Sequence, residues 1–179
     1  MIEQAFIDDS VLQLKKLKSQ ADRALAQIKG EEWFQPLDSE SNSIAVIMKH
    51  LAGNMKSRWT DFLTSDGEKP ARNRDSEFEN STVAAREQIL EAWEQGWAAA
   101  IAAVSSLKPD DLDRTITIRG EPHSVLEAVN RQVTHYAGHV GQIVLLAKHY
   151  AGTSWKTLSI PRGKSKDFDV SKGGEPYKL

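Results

Sequence analysis

His135 and His139 stand four residues apart in the stretch H-Y-A-G-H, in a chain with five histidines and no cysteine. On an α-helix, residues four apart lie about 40° apart around the axis, so both imidazoles project from one face and can reach a single cation. The same spacing also arises in ordinary helices, where each ring is simply a hydrogen-bonded side chain. The absence of cysteine excludes disulfides, thiolate zinc sites and thiol nucleophiles. Any metal must then be held by histidine, carboxylate, amide or water.

His139 falls in an apolar sector with Tyr136 and Ile143, and His135 lies at its edge. The pair is therefore expected to face an interior, where an imidazole without a partner is costly. A third histidine, His50 in I-M-K-H-L-A-G-N-M, sits mid-way along another amphipathic segment, on a line with Ile47, Asn54 and Asp61. If those two helices pack antiparallel, the three rings meet at a similar height. Three histidines with an open position make a catalytic type of metal site, whereas a closed structural site usually wants four protein ligands.

Asn54 and Gln142 are placed to approach a metal-bound water or to hold a ligand from behind, and equally to be interior amides bonded to backbone. His149 is expected in a last helical turn, where the helix dipole favours it, and His123 in a loop. Asp61 and Glu127 are candidate acids or bases, with nothing in the sequence to place them near a substrate. No phosphate-cradling glycine loop, G-x-S-x-G elbow or H-E-x-x-H motif is present. Tyr136 stands where that last motif carries its general-base glutamate.

Four helical segments must position these residues. Phe6, Val11, Leu14, Leu17, Ala21, Leu25 and Ile28 make one apolar stripe that Gly30 stops. A second helix is predicted from about Ser43 to Leu63, with Ser41, Asn42 or Ser43 as N-cap and Asp66-Gly67 as its stop. A third runs from about Thr82 to Ser106, with Leu90, Trp93, Trp97, Ile101 and Val104 on one face. The fourth opens on the capping box S-V-L-E, Ser124 to Glu127, and ends at Gly152.

Between the last two, T-I-T-I-R-G-E-P-H predicts a short hairpin or extended segment that turns at Arg119-Gly120-Glu121-Pro122. Residues 66 to 80 form a link too long for adjacent antiparallel helices, so helix three is expected to run parallel to helix two. The fold expected is all-α, an up-down-down-up four-helix bundle over residues 1–160. Trp155, Leu158 and Ile160 pack back onto it, and a C-terminal tail over 161–179 is mobile or ordered by a partner.

The 23 basic residues nearly balance 25 acidic ones, without a basic run for a nucleic-acid backbone. No cluster of basic residues stands out along the chain. The acidic N-terminus does not resemble a signal peptide, and no apolar run approaches membrane-spanning length. The expectation is a cytoplasmic protein that binds neither nucleic acid nor membrane.

T-H-Y-A-G-H-V-G-Q-I in helix four, with a histidine in helix two, a long crossover and a hairpin, resembles the DinB-like (YfiT-like) superfamily of metalloenzymes. That superfamily is distinct from the DNA polymerase that shares the DinB name. Its H-x-x-x-H-x-G-Q-I element matches His135, His139, Gly141, Gln142 and Ile143. H-L-A-G-N-M-K-S-R-W-T-D-F-L, from His50, and S-W-K-T-L-S-I-P-R-G-K-S, from Ser154, are similar to a bacterial branch described only as a domain of unknown function.

The resemblance spans essentially the whole chain. It implies a commonly dimeric four-helix bundle that holds nickel or zinc on His50, His135 and His139, and a small-molecule substrate. It further implies a thiol transferase that uses a low-molecular-weight thiol such as bacillithiol or mycothiol as cosubstrate. A metal-dependent hydrolase, with Asp61 as proton shuttle, and a non-enzymatic bundle are the alternatives.

Overall fold

Two serines start the helices that carry the histidines. Ser43 Oγ accepts the Val46 amide hydrogen at 3.3 Å and opens α2, Ile44–Trp59. Ser124 Oγ accepts from the Glu127 amide at 3.1 Å while the Glu127 carboxylate takes the Ser124 N–H at 2.8 Å, and this reciprocal cap opens α4, Val125–Ala151. The other two helices are α1, Ile2–Leu25, and α3, Arg86–Ser105. These elements come from a computed structural model that describes residues 2–167.

α2 stops four residues before the predicted end at Leu63. Asp61 adopts a left-handed backbone, φ +48°, and its carbonyl accepts the amides of Thr64 and Ser65. Phe62 keeps the apolar rhythm without helix: it is buried, with its ring edge-on to Trp59 at 5.2 Å. In α3 the buried line is Ile89, Trp93, Gly96, Trp97, Ala100 and Val104. Leu90, predicted on that face, is 37 % exposed because Ile89 takes the inward position. Residues Val83–Ala85, predicted as helix, form a single 3-10 turn ahead of α3.

The crossover explains the helix directions. From the end of α2 the chain turns back along that helix, with Gly67 and Lys69 bonded to Ser57 Oγ and Ser76 and Glu79 holding Lys49 Nζ. It therefore re-enters the bundle near the start of α2, and α3 runs parallel to it. α4 runs antiparallel to α2: Ile47 lies by Gln142 and Leu146, His50 by His135 and His139, and Trp59 donates to Tyr136 Oη at 2.9 Å. Gln27, after α1, bonds Lys156, after α4, so those two ends lie together. The bundle is up-down-down-up, as predicted.

Trp93, Trp97 and Tyr136 are fully buried at its centre with Leu14, Met48, Leu51 and Met55. Large aromatic and aliphatic side chains of this kind supply most of the burial energy of a bundle. Trp155 and Leu158 pack against this core from beyond α4. Of the expected C-terminal tail, 161–166 is exposed and 168–179 lies outside the described residues. No helix among the described residues is long and apolar enough to cross a membrane.

The predicted hairpin is β1, Thr115–Ile118, paired antiparallel with β2, Glu121–Ser124. Its turn is tighter than the four residues expected: only Arg119 and Gly120 form it, both at positive φ (58° and 76°). This is the backbone of a two-residue hairpin turn matched to strand twist. Pro122 falls within β2, where a two-stranded sheet has only edges and tolerates a missing N–H.

Asp66 fixes that turn to the crossover. Its carboxylate accepts the amides of Glu68 at 2.6 Å, Gly120 at 2.8 Å and Arg119 at 2.9 Å. These backbone donors hold its carboxyl down to about 2, against an ordinary value of 3.8. A depressed carboxyl stabilises the fold above the unfolded value and loses that contribution as pH falls through the folded one. Asp66→Asn is therefore expected to lower stability by about 1 kcal/mol at neutral pH. Thermal unfolding of both proteins across pH checks this: their difference should shrink between pH 3.8 and about 2.

Candidate metal centre

α2 and α4 bring His50, His135 and His139 together, with one ring nitrogen of each within 4.8 Å of those of the other two. His135 Nε2 lies 3.3 Å from His50 Nε2 and 3.1 Å from His139 Nε2. Ligand atoms about 2.1 Å from one ion are spaced roughly 3.0 Å apart on an octahedron and 3.4 Å on a tetrahedron. Both separations from His135 fall between the two, and the three rings together could hold a metal ion.

The far sides of two rings are already occupied. His50 Nδ1 faces Glu77 Oε2 at 3.0 Å, and His139 Nδ1 faces Gln142 Oε1 at 2.8 Å. Both partners are acceptors, so each Nδ1 carries a hydrogen and donates it outward, and the Nε2 of each ring faces inward. Burial pushes the His135 imidazole down to about 4, and the neighbouring His139, His50, Arg58 and Arg72 push in the same direction. Burial also lowers His139. His135 Nε2 lies within hydrogen-bond reach of both other rings, and a cation between the three would take the place of those contacts.

Glu77 was not singled out in the sequence. It lies in a one-turn segment, Asp75–Phe78, of the crossover, and is buried. Arg72 donates to both its oxygens, Nε to Oε1 at 2.7 Å and Nη2 to Oε2 at 2.8 Å. Burial alone would raise the Glu77 carboxyl, but its bonds to His50 and Arg72 outweigh that and hold it below the usual range. Gly53, on α2, makes room for it: a Cβ there would come within 2.8 Å of Glu77 Cδ. A glutamate in a loop 27 residues beyond His50 carries no periodic signal; the glycine inside the amphipathic helix α2 is the trace it leaves.

Gln142 lies against His139, as described. Asn54 lines the same cavity as His50 and His135, with its Oδ1 accepting the Tyr136 hydroxyl at 3.2 Å. Of the residues read as ordinary, His149 is exposed beside Tyr150, and His123 lies on β2 near Arg131. Asp61 sits past the end of α2, three helical turns from His50, and its carbonyl serves a local turn. Glu127 is spent on the α4 cap.

A cavity of about 200 Å³ opens beside His50 and His135. Its remaining lining includes arginines from α2, the crossover, the hairpin turn and α4, and, among the described residues, no acidic one. A second cavity, of about 260 Å³, lies beyond Gln142 and has a mixed lining, with Leu37, Ile47, Leu145 and Leu146 beside Glu40, Ser41 and Asn42.

No curated protein and no solved structure matches the chain. A family model covers residues 1–164, and the chain belongs to the family it describes, "Protein of unknown function (DUF1572)".

Proposed function

We propose that the protein is a metal-dependent enzyme of the thiol-transferase type, with nickel or zinc held by His50, His135 and His139. The observation that carries this reading is the convergence of the three imidazoles on one point, two of them oriented from behind by Glu77 and Gln142. The likeness of T-H-Y-A-G-H-V-G-Q-I to the DinB-like superfamily supports the same ligand set. A bound divalent ion supplies a Lewis-acid position that favours the thiolate form of a low-molecular-weight thiol.

The chain's own residues supply the rest. His135 stays uncharged through the neutral range, so it does not compete with the cation. The arginine-lined cavity favours an anionic sulfur over a neutral one. Hydrolysis is less well served: Glu77 is tied to Arg72 and His50, and Asp61 lies away from the histidines, so among the described residues no free carboxylate is at hand to move protons from water.

The test is thioether formation by the metal-loaded protein with bacillithiol, mycothiol or cysteine and chlorodinitrobenzene. In this reaction a carbon–sulfur bond forms as chloride leaves. The expected result is a rate that requires metal and is lost in His50→Ala. A rate no greater than that of the thiol alone, with all three thiols, would overturn the assignment.

A further inference from the structure

The cavity beside His50 and His135 holds more positive charge than its surroundings balance. Arg58, Arg72, Arg74, Arg119 and Arg131 all line it. Among the described residues two carboxylates pair with these five guanidiniums. Glu68 is shared by Arg58 at 3.5 Å, Arg72 at 3.3 Å and Arg119 at 3.2 Å, and Glu77 is taken up by Arg72. Arg74 lies over the Phe78 ring and Arg131 beside His123, neither of which supplies a negative charge.

Arg58 is the most telling of the five. It is 5 % exposed, yet its Nε and Nη1 have no hydrogen-bond partner. A buried guanidinium with unfilled donors is costly to maintain for stability alone. Gln132, 2 % exposed and on the same wall, has an unpartnered Oε1. Turning its amide by half a revolution presents two N–H donors to the same space.

We propose that this cavity is an oxyanion subsite that takes a carboxylate or phosphate group of the molecule processed at the histidines. Planar guanidiniums match either group through paired hydrogen bonds, and among the described residues no acidic side chain of the lining competes with an anion for them. The existence of the subsite stands on the arginines alone; its link to chemistry rests on the metal-dependent reading above. Anchoring the charged end here, next to His50 and His135, places a reacting atom a few bonds away over the three nitrogens.

Calorimetric titration of the full chain with inorganic phosphate and with succinate, before and after chelator treatment, tests this. Saturable binding of one or both is expected to survive chelation, and which ligand binds identifies the anion. Arg58→Met should weaken it about tenfold or more, the loss of one charge-assisted bond. Because a buried substitution risks the fold, the exposed pair Arg119→Gln/Arg131→Gln serves as the second variant and should weaken binding several-fold. Binding that vanishes with the metal and ignores both variants would overturn the subsite while leaving the metal centre standing; no saturable binding of either anion would also overturn it.

Discussion

Replacing His135 with alanine should abolish stoichiometric metal. His135 is the middle member of the triad, its Nε2 within 3.3 Å of both neighbours, so its loss leaves two donors from different helices. Removing a partner behind a ligand typically costs ~10–100-fold in affinity, and removing the ligand itself should cost more than ~100-fold. A ligand present at ~1,000 times its Kd stabilises the folded chain by about 4 kcal/mol, or roughly 8–16 °C in Tm for a chain of this size. That increment should appear when zinc or nickel is added to the wild-type protein, reverse with chelator, and be absent from His135→Ala. His149→Ala and His123→Ala should behave as wild type. Elemental analysis with thermal unfolding decides the matter: unchanged metal content in His50→Ala, His135→Ala and His139→Ala would return the triad to ordinary bundle side chains.

The helices and their order were legible because they are written in short-range periodicity. The Ser124–Glu127 cap, the stripe through Tyr136, Val140 and Ile143, and the long link after α2 each report on local geometry, and together they require an antiparallel α2–α4 pair. From that pair the meeting of His50 with His135 and His139 follows. What was not legible is what the crossover does on its way back. Glu77, Arg72 and Arg74 lie in irregular backbone, where side-chain direction has no period to reveal it. The positive cavity was equally hidden: Arg58, Arg72, Arg119 and Arg131 are far apart in the chain and amount to no charge run, yet they converge on one wall. Asp61 shows the opposite failure, since apolar spacing through Phe62 continued past a left-handed residue that periodicity does not detect.

The crossover is thus part of the site, and the substitution that tests this is Glu77→Gln. A glutamine keeps the shape but offers one acceptor oxygen and an NH₂ group, whereas the glutamate meets donors on both sides: Arg72 Nε and Nη2, and His50 Nδ1. Arg72, whose side chain is 5 % exposed, loses an acceptor in either orientation of the amide, and His50 loses its own as well when the NH₂ group takes the place of Oε2. Breaking a buried charge pair by removing one member costs about 3–5 kcal/mol, so Tm should fall by roughly 10 °C. Metal affinity should fall ~10–100-fold, because a neutral amide oxygen holds His50 Nδ1 less firmly than the carboxylate does. Gly53→Ala, which drives a methyl group into the Glu77 carboxylate, should move both properties in the same direction. The double variant Arg72→Met/Glu77→Leu separates the two roles. With no charge left unpaired, stability should recover, since apolar replacement of a whole buried pair is often neutral. Metal affinity should not recover, because nothing then orients His50. If instead the double variant binds metal as the wild type does, Glu77 serves the fold alone and His50 needs no partner behind it.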